Sequence, residues 1–354
     1  MTMDNTGTTE NISAAAPEAM AAPEPLAKKI IKQLIGLGLA AGLLYWCFHK
    51  TDFKQVWQFA QEMDLKFAFM VLGTALVSHI IRAWRWTLLL QPLSPGKRIS
   101  LWNSFCAVMY GYAVNIVVPR GGELARLVAI SKSESIPWAG VLPTMFIDRL
   151  LDIAMLVALI GLTITKLPPG ILDARITGPA GILMCLATAL GLVLLPFVGK
   201  IGKALLDAPA IKKLIPAGIY DKLGVLIVQF DLGTRSLTQP ANLAVIAVSS
   251  VLIWVLYWAN MYLMVFALHL EKLVDPAKSL MVFTISSVGV LVPTPGCVGS
   301  YHALTSQALQ KIAGVSEAAS LAYALISHLL CFIVIVCIPA AFCFIVQSAK
   351  SEKK

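Results

Sequence analysis

The stretch from Ser279 to Ile312 constrains the chain more than any other. Leu280 to Val292 is apolar, the run breaks at Pro293-Thr294-Pro295-Gly296-Cys297-Val298-Gly299, and Ser300 to Ile312 reads as a second short helix. Neither half reaches the roughly 20 apolar residues that a bilayer-spanning helix needs. Two prolines in three residues, with Gly296 and Gly299 behind them, do not continue a helix. Irregular backbone at membrane depth is tolerated only where protein or a wet cavity covers it. The stretch is therefore expected to be a re-entrant hairpin.

A second stretch has the same grammar. Leu101 to Val118 is apolar, Pro119-Arg120-Gly121-Gly122-Glu123 follows, and a short helix runs from Leu124 to Lys132. Paired Gly/Pro-interrupted apolar segments are the best sequence pointer to the binding site of a transporter. Pro119, Gly121, Gly122, Pro293, Pro295, Gly296 and Gly299 are the expected hinge positions.

Of 354 residues, 58% are hydrophobic and 13% charged, with a mean hydropathy of +0.79. This is the composition of an all-α polytopic membrane protein. The net charge of +9 sits in loops beside apolar spans. It fits anionic lipid headgroups and gives no nucleic-acid signal. Seven cysteines contain no C-x-x-C pair, so neither a metal site nor a disulfide framework is expected. With no Walker loop, G-x-S-x-G or H-E-x-x-H, we expect no cofactor, no ATP site and no enzyme activity.

In chain order, residues 1–27 read as a disordered tail unlike a secretory signal, 28–348 as one membrane domain, and 349–354 as a basic tail. Spans are expected at Ile30–Phe48, Phe67–Leu90, Trp138–Thr165, Ile176–Val198, Ala241–Leu268 and Ala318–Val346. Residues 52–64 read as an amphipathic connector and 199–240 as a cytoplasmic loop with a surface helix. That makes about six spans plus two re-entrant hairpins, or seven to eight predicted spans. With both termini inside, seventeen Lys and Arg lie on the inner side, eight on the outer, and Arg82, Arg85 and Arg149 within spans. In that arrangement the hairpins enter from opposite sides, as an inverted repeat produces.

The polar residues inside apolar helices are the candidate site. A charge at the bilayer centre costs about 2.5–3.5 kcal/mol on insertion scales, so such residues turn to the bundle interior. Asp148 and Asp152 are i,i+4, and Arg149 pairs with Asp152 at i,i+3. They form either a self-neutralising cluster or a frame that orients Arg120 and Arg126. Arg120, Glu123 and Arg126 follow the first break, where free N–H groups and two arginines make either a phosphate-binding corner or a helix N-cap at the interface with snorkelling arginines; Asn115 and Tyr112 precede it. Arg82 and Arg85 share a face and either snorkel beside Trp84 and Trp86 or contact a headgroup. His302 opens the helix after the second break and either meets a headgroup or packs; His328 and Tyr323 read as packing residues.

These motifs occur in a recognisable order: Arg82-x-x-Arg-Trp86, Asn115-x-x-x-Pro119-Arg-x-Gly-Glu-x-x-Arg126, Asp148-Arg-x-x-Asp152 and Pro293-Thr-Pro-Gly-x-x-Gly299. Over about residues 30–346 the chain resembles the lysylphosphatidylglycerol synthase transmembrane-region family of flippase-like domains. Its members include the membrane half of the bacterial multiple peptide resistance factor and proteins of hopanoid and dolichol-linked lipid handling. The resemblance implies lipid translocation or trafficking in a bacterial inner membrane, with polar positions at Arg120, Glu123, Arg126, Arg149 and Asp152. Asp148 and His302 stand where the family has mostly Glu, and Cys297 where it has a second Gly. The soluble aminoacyl-transferase domain of the resistance factor has no counterpart here, so lysyl-lipid synthesis is not implied. The expected partners are membrane lipids. The alternative is an accessory subunit that binds lipid and docks a lipid-modifying or glycosyl-transferring enzyme.

Overall fold

The computed structural model describes residues 53–118, 121–165, 174–194, 197–209, 239–292 and 294–351, with short stretches between 215 and 237. The expected first span Ile30–Phe48, both tails, much of the 199–240 loop, Pro119, Arg120 and Pro293 lie outside the described residues.

Among the described residues the chain is helical, without strands. Its α-helices are α1 (Phe53–Gln61), α2 (Leu65–Leu90), α3 (Leu101–Val117), α4 (Gly122–Glu134), α5 (Trp138–Ile164), α6 (Ala174–Leu194), α7 (Val198–Leu206), α8 (Pro240–Ala267), α9 (Pro276–Val290), α10 (Ser300–Ala313), α11 (Glu317–His328) and α12 (Ile335–Ser351). Their starts follow local chemistry. Asp64, Ser100, Asp275 and Ser316 each turn a side-chain oxygen onto a backbone N–H of the first turn, which satisfies one of the four orphan donors there. Gly314 ends α10 in the left-handed region.

Among the described residues, four stretches are long and apolar enough to cross a membrane: Leu65–Leu93, Thr177–Leu194, Ala241–Ala267 and Glu317–Ala349. The last joins α11 to α12 through a π-helical turn, Leu329–Val334. α5 is as long, at 27 residues, but carries three charges. Chain and composition thus define a multi-pass membrane protein. Ile182, Leu183, Leu186, Leu190 and Val193 of α6 are exposed; such a face is stable against lipid tails, not water.

α2 and α8 form the long antiparallel pair: the Asp64 N–H donates to the Ala267 carbonyl, Thr74 meets Asn260, and Arg85 meets Ser250. α3 and α4 fold back on each other across the first break. A Cβ at Gly111 would meet the Gly122 carbonyl oxygen at 2.9 Å, and one at Gly122 would meet the Asn115 side chain at 2.6 Å. The two backbones therefore touch. α9 and α10 repeat the arrangement across the second break, where Gly289 faces Ser300 and Thr305 donates to Ser286 at 2.8 Å. The breaks also meet each other: a Cβ at Gly296 would lie 3.6 Å from the Ile116 carbonyl oxygen.

The apolar core falls into two main clusters. One gathers Trp86, Leu89, Met109, Ile130 and Ile147 from α2 to α5. The other gathers Ile253, Met264, Val282, Leu309 and Tyr323 from α8 to α11. A buried polar cluster is built where α2, α4, α5 and α8 approach.

Candidate functional site

The i,i+3 spacing of Arg82 and Arg85 turns both guanidinium groups from α2 toward α5, where the i,i+4 spacing of Asp148 and Asp152 presents both carboxylates. Arg85 Nη2 lies 2.6 Å from Asp148 Oδ1 and 3.0 Å from Asp152 Oδ1. Arg82 Nη1 lies 2.7 Å from Asp152 Oδ2 and 3.5 Å from Asp148 Oδ2. α4 brings Arg126, whose Nη1 lies 2.9 Å from Asp148 Oδ2. Three arginines thus converge on Asp148, which is fully buried. α8 completes the ring of partners: Arg85 Nη1 donates to Ser250 Oγ at 2.7 Å, and Arg82 Nε to the Tyr257 hydroxyl at 3.1 Å.

A charge taken out of water is tolerated only when its partners and hydrogen bonds replace the lost hydration. Asp148 meets that condition through its several partners, and Arg85 does so at both Nη atoms while its Nε has no partner among the described residues. Arg126 meets it only in part. Its guanidinium carbon lies 3.7 Å from the centroid of the Trp86 ring, a cation–π contact, and Trp86 Nε1 is held by donation to Thr144 Oγ1 at 3.1 Å. Yet Nε and Nη2 of Arg126 are buried with no hydrogen-bond partner among the described residues.

Arg149 and Glu123 stand apart from this buried knot, with side chains 39% and 38% exposed. Arg149 Nε donates to Glu123 Oε1 at 2.9 Å, and Nη2 bonds the same oxygen. Its contact with Asp152 is longer, 3.8 Å. Arg126, Arg149, Glu123, Tyr112, Asn115 and Gly122 line one cleft. The described cluster holds four arginines and three carboxylates, an excess of one positive charge.

Several sequence expectations change here. Arg82 and Arg85 do not snorkel; both are buried in ion pairs with α5. Asp148 and Asp152 orient Arg82 and Arg85 as well as Arg126, and Glu123 holds Arg149. The reason is reach across packed helices, which sequence spacing does not contain. The first amide of α4 is not open to a ligand either: Gly122 N–H donates to Asn115 Oδ1 at 2.8 Å. His302 does not line the cleft. It is buried at the second break, where its Nδ1 accepts from the Gly299 N–H at 3.2 Å. His328 and Tyr323 are buried too; the Tyr323 hydroxyl donates to the Met261 carbonyl.

Other contributors carried no signal. Tyr257 and Ser250 are ordinary residues on an apolar helix until α8 packs on α2. Buried Glu134 accepts from Ser100 N–H at 3.1 Å and Asn103 Nδ2 at 2.7 Å, tying the end of α4 to the start of α3.

A helical, multi-pass membrane protein with an arginine-rich polar knot between a broken hairpin and its spans is the class this structure defines. Within that class the chain belongs to the family described as lysylphosphatidylglycerol synthase TM region, whose model matches residues 33–338. The membership makes it a lipid-related membrane protein. No curated protein and no solved structure matches the chain.

Proposed function

We propose that this protein is a bacterial inner-membrane lipid transporter that carries a polar, anionic lipid between leaflets. The observation that carries the reading is Arg126: a buried guanidinium with two nitrogens, Nε and Nη2, unpartnered among the described residues, in a cleft whose charged groups sum to an excess of one positive charge. A lipid phosphate supplies the missing acceptors and the missing charge together. Its headgroup lies between Arg126 and Arg149, while its tails stay among the exposed apolar side chains. Asp148 fixes Arg126 and Glu123 fixes Arg149. The long charged helix α5 counts as a span in this reading, and with the N-terminal span it makes six. The two helix–break–helix hairpins enter from opposite sides, with both termini in the cytoplasm, and their breaks serve as hinges.

Reconstitution into liposomes tests this. Leaflet exchange of labelled phosphatidylglycerol is scored for the native chain and for Arg126→Gln, with Arg120→Ala as a second variant. The expected result is exchange that both substitutions suppress. Absence of exchange, with lipid still bound in native mass spectrometry, refutes transport and favours an accessory subunit that docks a lipid-modifying enzyme.

A further inference from the structure

The second break carries two imidazoles that the arginine cleft does not use. His302 stands in the first turn of α10 and His328 ends α11. Their ring centroids are 4.7 Å apart, and the residues are 3% and 5% exposed. Each ring holds a different residue of the break. His328 Nε2 lies 2.7 Å from the Gly296 carbonyl oxygen; a carbonyl only accepts, so Nε2 carries the hydrogen. His302 Nδ1 accepts from the Gly299 N–H, so that nitrogen carries none. The bond closes the N-cap amide of α10, a place that Glu or Gln takes in a capping box.

The backbone held this way is unusual. Gly296, Cys297 and Gly299 all have positive φ, at 57°, 59° and 89°. Glycine adopts such angles freely, but at Cys297 they persist only where the surroundings enforce them. Gly296 also abuts Ile116, next in sequence to Asn115, and Asn115 caps α4 and lines the cleft. The imidazole pair and the arginine cleft are thus joined through one backbone contact.

Among the described residues, phenols and thiols stand near the pair. Tyr301 of α10 has its ring 5.9 Å from His302 and 5.7 Å from His328. Cys297 belongs to the break, and Cys331 of the π turn and Tyr323 of α11 adjoin Tyr301. The π turn stacks Phe332 on His328 at 5.0 Å, and α3 sets Ile116 against Gly296 of the break.

We propose that the His302–His328 pair is a proton-binding site that couples protonation to opening of the second break. The proton lands on His302 Nδ1, whose lone pair the Gly299 N–H then loses. The N-cap of α10 is released, and the positive-φ backbone loses one of its two supports. Two imidazolium rings at this separation repel, so the pair takes one proton at a time. Loss of the proton restores the cap. The use of this site, a proton gradient as the energy source for lipid movement, rests on the transport reading; the titration itself does not.

The full chain is reconstituted in phosphatidylcholine vesicles with labelled phosphatidylglycerol, and a proton gradient is imposed. In the native protein the gradient is expected to speed leaflet exchange several-fold over the gradient-free rate. In His302→Gln, where a non-titrating acceptor takes over the cap, the ratio of driven to undriven exchange is expected to fall to about one. A ratio equal to the native one overturns the proposal. Hydrogen exchange at the Gly299 amide, corrected for its intrinsic pH dependence, is followed in parallel from about pH 8 down to about pH 3. Protection should fall on the acid side in the native chain and stay level in His302→Gln. Protection that stays level in both overturns the proposal even if lipid moves. An acid-side fall with no lipid movement removes the transport reading and leaves the proton site standing.

Discussion

Arg85 Nη2 lies 2.6 Å from Asp148 Oδ1, and both side chains are wholly inaccessible. The two residues stand on different helices, and Asp148 also receives Arg82 and Arg126. Removing its charge therefore strips three buried cations at once. Asp148→Asn is expected to destabilise the protein by about 3–5 kcal/mol, the usual cost of stranding a buried charge. Thermal unfolding in detergent checks this. A drop smaller than that of Asp152→Asn would show that Asp148 is not the hub.

Arg126 keeps two nitrogens, Nε and Nη2, without partners among the described residues, where Arg85 keeps one. One charge-assisted hydrogen bond is worth about 1.5–3 kcal/mol, and each 1.4 kcal/mol is about tenfold in affinity. Arg126→Gln is therefore expected to weaken phosphatidylglycerol binding by about ten- to a hundredfold, with a smaller effect on phosphatidylcholine. Native mass spectrometry across a lipid titration measures both. Equal losses for the two lipids would argue against charge recognition.

The contact of α3 with α4 has no room for a methyl group at Gly122, which would meet the Gly111 carbonyl and the Asn115 side chain. Gly122→Ala is expected to cost about 1–3 kcal/mol, the range for overpacking a close contact. It should also lower lipid binding, because Asn115 loses its place on the Gly122 N–H. An unfolding curve that overlays the native one would contradict this.

The proposed topology, with the two hairpins entering from opposite sides, predicts Lys132, just before the end of α4, in the cytoplasm and Lys311, near the end of α10, outside. Single cysteines at these exposed positions, in a background without the seven native cysteines, should react with an impermeant maleimide from opposite sides of the membrane. Labelling of both from one side would overturn the inverted arrangement.

The helices and breaks were legible because their causes are local. Apolar runs, prolines and glycines within a few residues placed α3–α4 and α9–α10 within about four residues of where they lie. Spacing also told which charges share a face: Arg82 with Arg85, Asp148 with Asp152. It did not tell which faces meet. The pairs Arg85–Asp148 and Arg82–Asp152 are 63 and 70 residues apart, so they depend on how α2 docks on α5. Nothing in the spacing of His302 and His328 joins them, and only the packing of α11 on α10 makes them a pair.

The sequence by itself determined that this chain is helical, lives in a membrane, breaks two of its helices with Pro and Gly, and belongs to its family. Those properties follow from hydropathy, periodicity and residue order along the chain. The tertiary structure alone decided that Asp148 is the common partner of three arginines, that Asn115 takes the amide left for a ligand, and that Arg126 keeps N–H groups without acceptors. Coulomb attraction and desolvation depend on distance and burial in space, and neither quantity exists until the helices have packed.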